Sequence, residues 1–329
     1  MYREKTVAVV VPAYNEEKLI GRVIETMPDF VDHIVVVNDK STDKTAEIVR
    51  SYAEKQPGRV VLIDLLVNQG VGGASAEGYK WARDHEIDCT AVMAGDAQMD
   101  PKDLPALLDP IVDGQADYTK GNRLFTGEAW HKIPRARYLG NSALSLLTKI
   151  ASGYWHIADS QTGYTVANLK VLQTLNLDEI YKRYGMPNDM LVKLNIYNFR
   201  VWDVPIEPVY HIGEKSGFKS IFVIPKFYFL LRRLFIYRMV QKYIIRDFHP
   251  LVFFYIFGYI FFLIGFFFGA YLLGFRIFEG PVQATSTIMA IFLVITGLQF
   301  LLFAMWFDMD YNKGLSKGSL SVPRERRQY

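Results

Sequence analysis

Three short segments carry residue types that bind cations, phosphates or bases. In Gly95-Asp96-Ala97-Gln98-Met99-Asp100-Pro101, a carboxylate and an amide alternate directly after an apolar run. Residues two apart on an extended chain share a side, so Asp96 and Gln98 would offer hard oxygens to a Mg²⁺ or Mn²⁺ that also binds phosphates. An Asx turn leading into a helix at residues 103–112 would use the same side chains for folding alone. In Val37-Asn38-Asp39-Lys40-Ser41-Thr42-Asp43, Thr42 or Asp43 is placed to cap a following helix. Capping leaves Asp39 over, able to accept hydrogen bonds from the edge of a base. In Asn68-Gln69-Gly70-Val71-Gly72-Gly73, glycines open a helix, and backbone N–H groups there suit a phosphate or ribose.

These segments need elements that hold them together. Residues 6–11, 33–37, 60–66 and 89–94 are short, largely β-branched runs and read as buried parallel strands. Between them, residues 16–27, 43–54 and 72–84 have helical spacing, with Leu19, Ile20, Val23, Ile24 and Met27 on one stripe. Strand–helix alternation predicts a doubly wound α/β sheet with ligands at the carboxyl ends of its strands. Those ends are residues 12–16, 38–42, 68–73 and 95–100, which puts the three segments in one cleft.

The whole chain of 329 residues is about twice the usual ~150 per domain, so one domain plus a further part is expected. With 37 Lys+Arg against 34 Asp+Glu the net charge is +3, too small to suggest a nucleic-acid partner. Half the residues are apolar, which excludes a disordered or collagen-like chain. Cys89 is the single cysteine, so there is no internal disulfide framework and no Cys-cluster zinc site. The apolar run before Pro12 is too short for a signal peptide, and the N-terminus is expected in the cytosol.

The segments also form an ordered series. Val11-Pro12-Ala13-Tyr14-Asn15-Glu16, Val35-Val36-Val37-Asn38-Asp39 with Ser41-Thr42-Asp43, Asn68 with Gly70, Gly72 and Gly73, and Asp96-Ala97-Gln98 together resemble the family 2 glycosyltransferases of the GT-A fold. The resemblance covers residues 1 to about 220; together with the uncharged apolar stretches near the end of the chain it narrows to the polyprenyl-phosphate glycosyltransferases, the dolichyl-phosphate mannose synthase-like group. It implies a Rossmann-like, mostly parallel sheet.

The resemblance also implies roles. Pro12, Tyr14, Glu16 and Asp39 would hold the base and ribose of a nucleotide sugar, UDP- or GDP-linked, with Asn68 and Gly73 beside them. Asp96 and Gln98 would hold Mg²⁺ or Mn²⁺ on the diphosphate. Arg123, in Lys120-Gly121-Asn122-Arg123, would meet a phosphate. Arg135, Arg137, Lys215 and Lys219 would bind the phosphate of the polyprenyl acceptor. Asp159 and Gln161, in Asp159-Ser160-Gln161-Thr162-Gly163, would line the donor sugar, and Asn188-Asp189 would be the later acidic loop, with Asp189 orienting the attacking phosphate or a sugar hydroxyl or else forming a structural salt bridge. Asp96, Arg123 and Asp189 are thus the expected catalytic set. Ala94 stands where the family often has the first aspartate of Asp-x-Asp, and Asn38 and Lys40 replace its frequent Asp and Gly. The expected reaction is an inverting transfer in which a lipid-phosphate oxygen displaces a nucleoside diphosphate from the anomeric carbon.

The apolar residues concentrate near the end of the chain. Residues 251–275 and 285–307 contain no charge. As helices they would measure roughly 37 and 34 Å, enough for a hydrocarbon layer of about 30 Å. Residues 221–250 carry six basic residues against one acidic, and residues 311–329 five against one. The positive-inside rule then puts both flanks, the catalytic domain and both termini in the cytoplasm, with a short loop outside. Buried helices of a soluble protein are the alternative. The four expected segments are a GT-A domain at residues 1–220, amphipathic juxtamembrane helices at 221–250, a hairpin of two spans at 251–307 and a basic tail at 308–329. Within 221–250, Arg238, Lys242 and Arg246 recur every four residues and are expected to face lipid headgroups. Gly265 and Gly269 suit close helix packing, inside the hairpin or in a homo-oligomer. The competing readings are a processive polysaccharide synthase, whose usual Gln-x-x-Arg-Trp motif is absent, and a silent membrane scaffold that binds nucleotide or lipid.

Overall fold

Alternate residues of the first strand are buried on opposite faces: Val7, Val9 and Val11 in one apolar cluster, Ala8 and Val10 in another. A strand buried on both faces must lie inside a sheet covered on both sides. The computed structural model describes residues 1–123, 135–207 and 220–316, with side chains described for these except at 135–143 and 220–225. It contains β1 (Val7–Ala13), β2 (His33–Asn38), β3 (Val60–Asp64), β4 (Cys89–Val92), β5 (Tyr118–Asn122), β6 (Thr165–Asn168) and β7 (Val201–Pro205). Their order across the sheet is β3-β2-β1-β4-β6-β5-β7. Strands β1 to β4 are mutually parallel, and only β6 runs against its two neighbours.

Helices α1 (Ile20–Glu25), α2 (Thr45–Lys55) and α4 (Leu104–Val112) pack on one face. Helices α3 (Val71–Asp84), α6 (Leu169–Thr174) and α7 (Met186–Ile196) pack on the other. Helix α5 (Arg135–Ser152) leads toward β6, and Ala151 near its end packs with Val192 of α7 and with Leu231 of α8 (Ser220–Val240). The expected strands are all present. Helix α1 starts later than its apolar stripe, and in the segment before it the Glu16 and Glu17 N–H groups donate to Thr45 Oγ1 and Asp43 Oδ2.

The chain forms two units, Met1–Phe235 and Ile236–Lys313. In the second, α9 (Leu251–Phe278) and α10 (Ala284–Asn312) are antiparallel neighbours joined by a short connection. Both are long and apolar enough to cross a membrane, and only 17% of each apolar stretch is buried. Core helices of a soluble protein bury most of their apolar surface, which these two do not. A Cβ added at Gly258 would lie 2.9 Å from the Leu301 backbone nitrogen, and one at Gly265 would lie 2.7 Å from that of Val294. These glycines let the two helices touch. Gly269, expected to share that work, leaves room, since a Cβ added there would meet Ala290 Cβ only at 3.9 Å.

The basic stripe after α8 departs from expectation. Arg238 and Lys242 are buried, not turned to headgroups. Arg238 donates through Nη1 and Nη2 to the two Asp308 oxygens at 2.8 and 2.9 Å. Lys242 donates to Asn312 Oδ1 at 2.7 Å, and Tyr243 to Asp308 Oδ1 at 2.6 Å. A π-helical turn over Gln241–Arg246 presents Lys242 and Tyr243 to these acceptors. Arg246 alone of the three repeats stays exposed.

Candidate active site

Parallel strands end together, so the loops after β1, β2, β3 and β4 emerge on one side of the sheet. The first two are stitched by side chains. Asn15, with φ at 57°, accepts from the Thr42 N–H through Oδ1 at 2.8 Å, and its own N–H donates to Ser41 Oγ at 2.9 Å. Asn tolerates this left-handed backbone better than most residues. The stitching leaves Pro12 buried and Tyr14 half exposed, its ring available for stacking on a base.

Asp39 lies beneath this lip, 3% exposed. Its Oδ1 and Oδ2 accept from the Gln69 and Gly70 N–H groups at 2.6 and 2.7 Å. The Asp39 carbonyl accepts from Asn68 Nδ2 at 3.0 Å. A carboxylate has about four acceptor sites, so two remain for a base. The Gly72 and Gly73 N–H groups donate to the Lys182 carbonyl at 3.0 and 3.2 Å. The expectation that this turn offers its backbone N–H groups to a phosphate is therefore not what the geometry gives. Its glycines serve close approach instead: Gly70 has φ at 79°, and a Cβ there would sit 2.6 Å from the Lys182 carbonyl oxygen.

The loop after β4 is a tight turn, not the extended segment expected. Ala97 has φ at 56°, and the Gln98 N–H donates to Asp96 Oδ1 at 3.1 Å. Such a conformation costs on the order of 1–2 kcal/mol for a residue with a Cβ. It brings Asp96 and Gln98, both partly exposed, against the β1 loop, where Gly95 N–H donates to the Pro12 carbonyl at 3.3 Å. Glu16 is a second acid there. Burial first, then the Asp96 and Asp43 charges, push its carboxyl up to about 7.

Across the cleft, Arg123 and Asp159 meet each other. Arg123 Nε and Nη2 donate to the two Asp159 oxygens at 2.7 and 3.2 Å, while 38% of the Arg123 side chain stays exposed. Burial would raise the Asp159 carboxyl, but hydrogen bonding and charge from Arg123, with Lys120, hold it below the usual range. Gln161 N–H donates to Asp159 Oδ1 at 3.1 Å, and Gln161 Nε2 reaches Asn188 Oδ1 at 3.3 Å. Asp189 turns inward: its Oδ2 accepts from Lys193 Nζ at 2.6 Å and from the Tyr181 N–H at 2.9 Å. It holds the segment ahead of α7 in the present geometry. The side chains of Arg135 and Arg137, on the first turn of α5, and all of Lys215 and Lys219 lie outside the described residues.

Residues 8–175, just over half of the chain, match the sequence profile described as glycosyl transferase family 2. The chain belongs to that family. The UDP-N-acetylglucosamine–dolichyl-phosphate N-acetylglucosaminyltransferase of Methanococcus voltae is 28% identical over 219 residues, 63% of this chain and 87% of the relative. The undecaprenyl-phosphate mannosyltransferase of Micrococcus luteus is 30% identical over 205 residues, 61% of this chain and 82% of the relative. Among solved structures, glucosyl-3-phosphoglycerate synthase from Mycobacterium tuberculosis, in complex with Mn²⁺, UDP and phosphoglyceric acid, superposes with a TM-score of 0.53 at 18% identity. That match covers 74% of this chain and 80% of the synthase, and it establishes the GT-A-like fold.

Several residues that build the glycosyltransferase site escaped the sequence reading. Lys120, 1% exposed, donates to the Thr162 carbonyl and so ties down the loop from Asp159. Burial pulls its pKa down to about 8. Asn122 Nδ2 and the Ala158 N–H donate to Asp203 Oδ2 at 2.8 and 3.0 Å. A lysine at an inward strand position opposite a later inward aspartate was the available signal. Among the described residues no three acidic, His or Cys side chains gather to hold a metal alone. Asp96 and Gln98 instead fit a hard cation that takes its other ligands from a diphosphate. Burial first, and then the Asp96 and Asp43 charges, raise the Glu16 carboxyl beside them.

Proposed function

We propose that this glycosyltransferase moves one sugar, with inversion, from a UDP- or GDP-sugar to a membrane polyprenyl phosphate, dolichyl or undecaprenyl. One observation carries the reading: a single chain joins a family 2 strand-end site to two helices long enough to span a bilayer. The names of the M. voltae and M. luteus relatives support the acceptor class. The basic flanks support a cytoplasmic donor unit and cytoplasmic termini.

The attacking phosphate has a second pKa near ~6, so it is largely ionised at neutral pH. A strong base is unnecessary, and the site's task is to hold two anions together. Tyr14 stacks on the base, Asp39 accepts from its edge through its remaining lone pairs, and Glu16 and Asn68 meet the ribose. The loop anchored by Lys120 and Arg123 presents Asp159 and Gln161 to the donor sugar. Asp96 and Gln98 would hold Mg²⁺ or Mn²⁺, which when bound would supply positive charge for the leaving diphosphate, and the partly exposed Arg123 adds to it. Arg135, Arg137, Lys215 and Lys219 take the acceptor phosphate. Asp189 acts at one remove, by positioning the segment before α7.

Thermal shifts of the full chain with UDP- and GDP-sugars, with and without Mn²⁺, test the donor site. A stabilisation by one sugar nucleotide that needs Mn²⁺, and that Asp96→Ala loses, is expected. A shift indifferent to both Mn²⁺ and Asp96 would remove the cation from the account.

A further inference from the structure

Three surface segments of the first unit carry large apolar side chains that the chemistry above leaves unused. After β3, Leu66 and Val67 are 89% and 66% exposed. Ahead of α7, Tyr184 is 71% exposed beside the exposed Lys182 and Arg183. On α8, Tyr228 and Phe229 are exposed, and Arg232 and Arg233 follow them at the i+4 spacing on the same faces. The buried face of α8, Phe227, Leu231 and Leu234, is separate from these.

The segments adjoin. The Lys182 carbonyl receives the Gly72 and Gly73 N–H groups, and Arg183 Nη1 donates to Asn68 Oδ1 at 3.4 Å. A Cβ on Gly185 would collide with the Leu230 side chain of α8. The segments that carry these exposed apolar side chains are therefore neighbours, more than the singly scattered exposure normal for a soluble surface. Its acids are committed: Asp64 pairs with Arg50 at 3.7 Å and Asp178 with Lys80 at 2.5 Å. Lys182 lies near Asp178, and Arg183, Arg232 and Arg233 form no ion pair among the described residues, so the patch has a positive rim.

Aliphatic and tyrosyl tips ringed by arginine and lysine match the boundary between headgroups and acyl chains, where apolar bodies sink and cations meet anionic lipid. Chain continuity favours the same occupant, because α8 leads within a few turns into α9, the first candidate span. We propose that Leu66, Val67, Tyr184 and the exposed flank of α8 dock on an anionic bilayer surface, so that the donor unit rests on the membrane through its β3–α3 loop as well as through its helices. The inference rests on the membrane reading above and adds a second contact to it.

The test uses the full chain in vesicles containing an anionic phospholipid. The native Cys89 is buried at 2% exposure, so spin labels go to introduced cysteines. Leu66→Cys and Tyr184→Cys probe the patch. Glu54→Cys, at the end of α2 that feeds the start of β3, probes the opposite side of the sheet, and Phe267→Cys probes the hairpin. Collisions with a water-soluble nickel chelate should fall on the order of threefold at 66 and 184 relative to 54, with partial return in vesicles of neutral lipid. Full accessibility at 66 and 184 with shielding at 267 would overturn the docking and spare the membrane reading. Accessibility at 267 as well would overturn the membrane reading itself. Shielding at 66 and 184 that persists in detergent and scales with protein concentration would mean a second copy covers the patch, and would equally overturn the proposal.

Discussion

Glu16 and Asp308 are both carboxylates withdrawn from water, and their surroundings differ in kind. Asp308 is wholly buried, yet it receives two hydrogen bonds from Arg238, one from Tyr243 and one from Asn312 at 3.0 Å. Its charge is balanced inside the protein. Glu16 is only partly buried and has further acids, Asp96 and Asp43, as its charged neighbours. A carboxylate answered by the protein holds a structure together, whereas a half-buried acid with acidic neighbours at the strand ends favours a ligand that brings positive charge.

Breaking each side of this contrast should fail differently. Asp308→Ala leaves the Arg238 guanidinium buried without its counter-charge. Unfolding of the full chain in detergent should show a loss of about 3–5 kcal/mol, with an apolar Arg238→Met/Asp308→Leu pair recovering most of it. A loss too small to measure would mean the cluster is not structural. Asp96→Ala should do the opposite, keeping the fold while sugar transfer drops about 10²-fold. Near-normal transfer would end the analogy between an open acidic site and a cation site.

A smaller effect separates the buried acid under the site from both. Burial pushes Asp203 up to about 6 from 3.8, so the folded chain holds this proton more tightly than the unfolded one. Its contribution to stability is fully present below pH 3.8 and is lost as pH rises through about 6. Asp203→Asn should flatten the stability profile across that window by roughly 1–3 kcal/mol; an unchanged slope in pH-dependent melting would contradict the assignment. The smallest effect concerns the acceptor. Lys215→Ala should raise the apparent KM for lipid phosphate by up to about fivefold, and more than that for the sugar nucleotide, with the reverse order in steady-state kinetics counting against it.

What the sequence disclosed, and what it did not, follows the range of the interactions. The β-branched runs announced β1 to β4, and the uncharged stretches announced α9 and α10, because burial on a strand or span is a property of consecutive residues. The strand-end positions of Tyr14, Asp39 and Asp96 followed from the same alternation. The pairing of Arg238 with Asp308 did not, since a basic residue every fourth position looks the same whether it faces headgroups or an aspartate 70 positions away. Likewise the glycines at 70, 72 and 73 are equally consistent with a phosphate cradle and with the close approach of residues 181–185, and only the Lys182 carbonyl distinguishes them. The motif at Asp189 left a catalytic role and a structural salt bridge equally open, and the salt bridge to Lys193 that forms depends on one helical turn being made.

Glycolipid formation by the purified chain is the most direct test. With the protein in vesicles containing polyprenyl phosphate, each UDP- and GDP-sugar would be supplied with Mn²⁺ or with a chelator, and lipid extracts read by mass spectrometry. One donor should yield a polyprenyl phosphate heavier by a single sugar, only with the cation and not with Asp96→Ala. Nucleotide release without any glycolipid, or a glycolipid that forms equally well under chelation, would contradict the account.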